Sequence, residues 1–280
     1  MEKTALYYRY QLIELLAYWE GRVNAKDLEQ YFNQSRQQSS ADINSYKEKL
    51  PNNLYYDSSR KAYIPTSEFI PQYITAQPDD YLRWLHTGQL HEVGAAVRHT
   101  SICEALILPS RLIAPETMRG LVAAIRQQKR IDVDYVSLSN PNREGRTIAP
   151  HSFVNTGLRW HLRAWCEKSG EYRDFVLSRF RGTPELRDKT EHTAENDQGW
   201  NTQVTIILQP DPRLSPPKRQ VLEDDYQMQN GLLQITTKGC LVQYLLREMQ
   251  VSTKMLDGTP EAQQLVCVNL PDIKPWLFEG

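Results

Sequence analysis

Between Arg159 and Arg181 the chain reads Arg-Trp-His-Leu-Arg-Ala-Trp-Cys, turns around Lys168 to Gly170, and continues Tyr-Arg-Asp-Phe-Val-Leu-Ser-Arg-Phe-Arg. Period-two alternation on both sides of a Ser-Gly turn signal restricts this segment to a β hairpin. Arg159, His161, Arg163 and Trp165 share one face of the first strand, and Trp160, Leu162, Ala164 and Cys166 share the other. In the second, Arg173, Phe175, Leu177 and Arg179 alternate against Asp174, Val176, Ser178 and Phe180. Two readings of the cationic face stay open. Arginine stems can lie over apolar neighbours on a solvated face, or the planar guanidinium forks can converge on an anionic ligand such as a phosphate.

The sequence from Arg146-Thr-Ile-Ala-Pro150 through Arg159-Trp-His-Leu-Arg-Ala-Trp-Cys166 to Phe175-Val-Leu-Ser-Arg179 resembles the signature of WYL domains. The resemblance covers Ile131 to Arg187 directly and departs at the Tyr of the Trp-Tyr-Leu triplet, which is His161 here. It implies an Sm-like β barrel that senses a ligand, with no cofactor and an anionic, nucleotide-like or oligonucleotide effector. The residues placed at that site are Tyr135, Ser137, His151, Arg159, His161, Arg163, Arg173, Ser178 and Arg179. Arginines would neutralise phosphate, rings would stack on bases, and hydroxyls would fix orientation. Trp160 and Leu162 are assigned to the core.

The N-terminal third has a different period. From Thr4 to Glu20, Leu12, Ile13, Leu16 and Trp19 fall on one side of a helix that Gly21 stops. Asn24, with Asp27 three residues on, caps a second helix carrying Leu28, Tyr31 and Phe32. Ser35 and Gln38 have capping-box spacing ahead of a third helix, whose inward face is Ser39, Ile43, Tyr46 and Leu50 and which Pro51 closes. Outward it leaves Arg36, Gln37, Ser40, Asn44 and Lys47, with Gln38 at the boundary; these side-chain types bond base edges and phosphates. Leu54 to Tyr56, a polar turn with Ser58, Arg60 and Lys61, and Ala62 to Ile64 form a two-stranded wing. Three short helices and a wing in this order predict a winged helix-turn-helix that binds double-stranded DNA.

Pro65, Pro71 and Pro78 punctuate a linker with a short helix at Asp79 to Leu85, followed by a strand at Ile102 to Leu108 and a helix opened by Pro115. Ile131 to Ser137 is an alternating strand; Asn140 to Gly145 is a loop, and Arg146 to Phe153 a second strand. Beyond a polar stretch from Arg187 to Gln198, Val204 to Leu208 and Leu232 to Thr236 read as strands. Arg213 to Leu222 reads as a helix interrupted by Pro216 and Pro217, and Leu241 to Met249 as another. This tail resembles the C-terminal extension that accompanies WYL domains. The fold class expected is therefore multidomain α+β: a winged helix-turn-helix at 1–66, a helical linker or dimerisation region at 67–128, a WYL β barrel at 129–190 and a small α+β extension at 200–280.

Composition narrows the function. The 280 residues hold 33 Lys plus Arg against 34 Asp plus Glu, which excludes a uniformly basic nucleic-acid coat but leaves room for local basic patches. No apolar run has membrane-spanning length, and the start lacks a signal-peptide core, so a cytoplasmic protein is expected. Cys103, Cys166, Cys240 and Cys267 form no metal-ligand spacing and read as buried free thiols. His91, His99, His151, His161 and His192 sit in no catalytic motif, so no enzyme and no metal site are expected. Nearly the whole chain resembles WYL transcription regulators. Ser35 to Asn44 and Tyr56 to Tyr63 look like the subgroup that represses phage-defence operons of the BREX and CBASS kinds. That resemblance implies a homodimer on an inverted repeat, relieved by a ligand in the WYL domain. The alternatives are an activator responding to single-stranded nucleic acid and a nucleic-acid-binding accessory subunit of a defence complex.

Overall fold

Helix α1 (Glu2–Glu20) forms where the apolar period runs, but it buries more than a stripe. Leu12, Ile13, Leu15, Leu16, Ala17 and Trp19 are all buried. A helix apolar on most sides needs partners on more than one side, and α1 has them. Helices α2 (Ala25–Phe32) and α3 (Arg36–Lys49) pack on one side, and α5 (Pro115–Gln127) on another. Gly21, at a φ of 75°, ends α1 in the left-handed region that favours glycine. The computed structural model describes residues 2–90, 108–109, 111–253 and 259–278. Of the strand expected at Ile102 to Leu108, residues 102–107 lie outside the described residues, as do Cys103, His91 and His99, while Leu108 is in no strand.

The cap of α2 is the expected box: the Asn24 side chain accepts from the Asp27 amide, and the Asp27 carboxylate accepts from the Asn24 amide at 2.8 Å. The cap of α3 is only half a box. Ser35 Oγ accepts the Gln38 amide at 3.1 Å, but the Gln38 side chain turns away to Asp42. Strands β1 (Leu54–Asp57) and β2 (Ala62–Pro65) pair antiparallel, and Val23 bridges Tyr63 as a third, one-residue rung. The following segment is held down rather than loose. The buried Glu14 carboxylate accepts the amides of Gln72 and Tyr73 and the Tyr46 hydroxyl, strapping the chain around Pro71 onto α1. Helix α4 (Pro78–Thr87) then packs Tyr81 on Trp19, with ring centroids 6.0 Å apart.

Helix α5 joins the reader to the next sheet. Arg126 makes a two-nitrogen ion pair with the buried Glu20, and Arg119 Nε donates to the Tyr18 carbonyl at 2.6 Å. On its other side Thr117 Oγ1 donates to the Gly182 carbonyl at 2.7 Å, and Gly120 lies so near Pro184 that a Cβ there would come within 3.1 Å. Strands β3 (Lys129–Tyr135), β4 (Glu144–Asn155), β5 (Trp160–Cys166), β6 (Glu171–Val176) and β7 (Phe180–Lys189) form one antiparallel sheet in the order β6-β5-β4-β3-β7. The expected barrel is not closed. No ladder joins β6 to β7 among the described residues. The 3₁₀ turn at Leu177–Arg179 between them redirects the chain, and β7 pairs with β3 at the far edge of the sheet.

In the C-terminal region, α6 (Gln198–Asn201) precedes β8 (Gln203–Pro210), α7 (Pro216–Asp225), β9 (Leu233–Lys238), α8 (Val242–Glu248) and β10 (Leu265–Cys267), with sheet order β10-β8-β9. Pro216 and Pro217 begin α7 rather than interrupt it, because the first helical turn has no partner for the amide that proline lacks. Val204, Ile206, Leu208, Val242 and Leu246 centre a core separate from the one that runs from Tyr10 to Phe180. Cys166 is buried as expected, but Cys240 and Cys267 are half-buried. No described helix is long and apolar enough to cross a membrane.

Candidate nucleic-acid interface and anion site

The reading helix is clamped from beneath by a charge. Asp42, buried on α3, accepts from Arg9 of α1 at 3.0 Å, from Gln34 at 2.8 Å and from Gln38 at 2.9 Å. A buried carboxylate needs this many donors to offset its lost hydration. Period counting alone did not mark Asp42; the signal was Gln38 one turn before it and an arginine on the neighbouring helix. The clamp engages the Gln38 side-chain amide nitrogen, although the residue itself is exposed. Arg36, Gln37 and Asn44 remain exposed, Ser40 and Lys47 are half-buried, and Arg36 and Gln37 have no side-chain partner among the described residues.

Tyr63 ties this helix to the wing: its hydroxyl donates to Asn44 Oδ1 at 3.4 Å, Lys47 Nζ sits 5.2 Å above its ring, and Tyr56 packs edge-on at 5.1 Å. At the tip, Asp57 Oδ1 accepts the Ser59 hydroxyl and the amides of Ser59 and Arg60, which holds its carboxyl below the usual range. That turn leaves Ser58, Arg60 and Lys61 exposed beside one another. Tyr55 and Tyr56 of β1 are 50% and 53% exposed, on opposite faces of the wing, and were not singled out from the sequence.

The WYL-side residues fall into three places. Tyr135, Ser137, Arg163 and Arg173 line a depression of about 620 Å³ along edge strand β6. Their polar atoms are already engaged. Tyr135 Oη accepts the Val176 amide at 2.9 Å, its ring packs on Phe175 and Phe180, and Ser137 Oγ accepts the Asn140 amide. Arg173 pairs with Glu171 at 2.7 Å. The register puts Arg173 opposite Ala164 and Asp174 opposite Arg163, so Arg173 leaves the sheet on the face away from Arg163.

Arg163 is only 8% exposed. Its guanidinium donates to both Asp197 oxygens, at 2.7 and 3.1 Å, and to Asp174 at 3.3 Å. Burial alone would disfavour its charge, but the two carboxylates hold its pKa above the ordinary value. Asp197 also binds His151 Nε2 at 3.2 Å, and Tyr244 Oη of α8 donates to Asp174 at 3.2 Å. His151 reaches Asp197 from a β-bulge, since Pro150 pairs with Ala164 and Ser152 with Arg163. Arg163 and His151 thus belong to a buried network holding the C-terminal region on the sheet. The supposed solvated face is covered.

Arg159, Ser178 and Arg179 remain, with His161. Arg159 and Ser178 face a cavity of about 430 Å³. Arg159, Arg179 and Arg111 pair with no carboxylate among the described residues, and they act on one another: burial, then Arg179 and Arg111, lower the pKa of Arg159. Burial, then the same three guanidiniums, push His161 down to about 4. His161 is 2% exposed, with Nδ1 3.4 Å from Thr156 Oγ1 and its ring 5.1 Å from that of Tyr244. Three uncompensated guanidiniums around a neutral imidazole attract an anion. Arg111, which the sequence reading did not single out, lies 48 residues before Arg159, with no local pattern to join them.

Comparison with known proteins agrees with this layout. Residues 5–87 match the BrxR transcriptional regulator winged helix-turn-helix domain, residues 116–183 the WYL domain, and residues 203–273 the BrxR transcriptional regulator C-terminal dimerization domain. The DNA-binding transcriptional repressor CapW of Escherichia coli (strain KTE188) is 34% identical over 95% of this chain and 89% of its own length. CapW of Stenotrophomonas maltophilia is 31% identical over 97% of this chain and 92% of its own. Among solved structures, proteasome accessory factor B/C of Arthrobacter aurescens aligns at 16% identity and a TM-score of 0.30, covering 84% of this chain and 41% of that one. With three successive domain matches and relatives aligned along almost its whole length, the chain belongs to the CapW family of WYL-domain, BrxR-type transcriptional regulators.

Proposed function

We propose that this chain is a sequence-specific, DNA-binding transcriptional repressor of a phage-defence operon. It acts as a homodimer on an inverted repeat and is released by an anionic, nucleotide-like ligand. The observation that carries the DNA reading is the exposed Arg36 and Gln37, without partners among the described residues, on a helix clamped by Asp42 beside a basic wing. A rigid helix presenting uncommitted forked donors suits the major groove. Relatives named as DNA-binding transcriptional repressors and the match to a C-terminal dimerization domain support repression and pairing. The ligand reading rests on Arg111, Arg159 and Arg179, which pair with no carboxylate among the described residues. A bound anion would favour whichever arrangement of the reading heads brings those cations closest.

A gel shift on the protein's own upstream DNA at physiological salt tests the reading. Arg36→Ala should weaken binding by about tenfold or more, and random duplex should bind far less tightly than the operator. Lys61→Ala, at the wing tip, should lower the salt slope by about one. Equal affinity for operator and random duplex, unaltered by Arg36→Ala, would sink the proposal.

A further inference from the structure

The 430 Å³ cavity that Arg159 and Ser178 face is not made by the WYL sheet alone. Arg83 and His86, from successive turns of α4, line it as well, and so does Arg111. Helix α4 lies within the winged-helix match, so the walls belong to reader and sensor together. The charge is lopsided. Arg83, Arg111 and Arg159 face the space, with Arg179 close enough to depress Arg159, whereas Asp79 is the carboxylate in the lining and Glu248 lies behind Gly157 at the rim. Arg83, Arg111 and Arg159 make no side-chain hydrogen bond or ion pair among the described residues.

A second cavity of about 800 Å³ adjoins the first, sharing Leu82, His86, Asn155, Gly157 and Trp160. Its character is different: Tyr81, Phe153, Trp160 and Trp200 supply aromatic walls and Leu85, Val122 and Ile125 aliphatic ones. A cation-lined chamber opening onto an aromatic one matches a molecule with phosphate at one end and a planar ring at the other. Each of the two cavities is by itself of the size that holds a small organic ligand.

We propose that a phosphate-bearing nucleotide binds across the junction of the DNA-reading and WYL domains, its phosphates between Arg83 of α4 and Arg111 and Arg159, its base beside Trp160. The proposal rests on the anionic-effector reading above and makes it specific. Placing one ligand against α4 and β5 at once couples the sensor to the reader directly, because ligand held by both sides fixes the angle between them. A free nucleotide and the end of a nucleic-acid strand share this chemistry.

Calorimetric titration of the full chain distinguishes the sources and the site, with ATP, pentathymidylate and inorganic triphosphate as probes. ATP or pentathymidylate should bind the wild type, and the better of the two identifies the source. Arg83→Ala and Arg111→Ala should each weaken that probe about tenfold, Arg83→Lys should recover most of the loss, and Arg159→Ala should weaken it at least as much. Trp160→Leu should weaken ATP more than triphosphate, with thermal melts confirming that each variant folds. If Arg159→Ala abolishes binding while Arg83→Ala and Arg111→Ala bind as wild type, the shared site is wrong and the sensor reading stands. If none of the three probes binds the wild type at millimolar concentration, both fall.

Discussion

His161 occupies the tyrosine position of the WYL triplet, and its surroundings keep it neutral. Burial and the guanidiniums of Arg159, Arg179 and Arg111 hold its pKa near 4, below the ordinary 6.5. The unfolded chain therefore takes up the proton first as pH falls, and stability present at neutral pH is lost between about pH 6.5 and pH 4. The loss from this group is on the order of 2 kcal/mol by pH 5. His161→Tyr should flatten that dependence, read as a smaller drop in Tm between pH 7.5 and pH 5 than in the wild type. Arg163 behaves differently. Removing it strands Asp197 and Asp174 in the interior, so Arg163→Ala should destabilise by about 3–5 kcal/mol in chemical denaturation, with or without ligand. Alternation in the sequence correctly put both residues on one face of a strand. It could not show that Asp197 and Tyr244, distant in sequence, cover that face, and so a structural arginine resembled a sensing one.

At the scale of elements, what was local was legible. The caps at Asn24 and Ser35, the stop at Gly21 and the hairpin turn at Gly170 are each dictated by residues within a few positions. The three helices, the wing and the paired strands follow from them. What depended on distant partners was not. The second buried side of α1 exists because α5 packs on it, and the sheet stays open because its two edge strands, β6 and β7, are joined by no ladder among the described residues. Gln38 left its capping role because Arg9 and Gln34 build a carboxylate clamp at Asp42. The wing depends on the reading helix through Tyr63, which engages Asn44, Lys47 and Tyr56. Tyr63→Ala should therefore lower operator affinity several-fold in the gel shift without altering the exposed Arg36, while lowering the unfolding free energy by only about 1–3 kcal/mol.

Across the whole molecule, reader and WYL sheet share one continuous core, joined by α5 through Glu20–Arg126 on one side and Thr117 on the other, while the C-terminal region keeps its own. Scanning calorimetry should resolve two transitions, the larger melting the winged helix and the WYL sheet together. The buried Asp197 has a further consequence, for where such a protein can be divided. Asp197 follows the last strand of the WYL sheet, yet it neutralises Arg163 inside it. Exchanging sensor modules between relatives at the end of β7 would leave Arg163 with Asp174 alone, without its bidentate partner Asp197. A junction after Asn201 carries the counterion along, so the natural seam of this chain lies past α6, about a dozen residues beyond the place where its sheet ends.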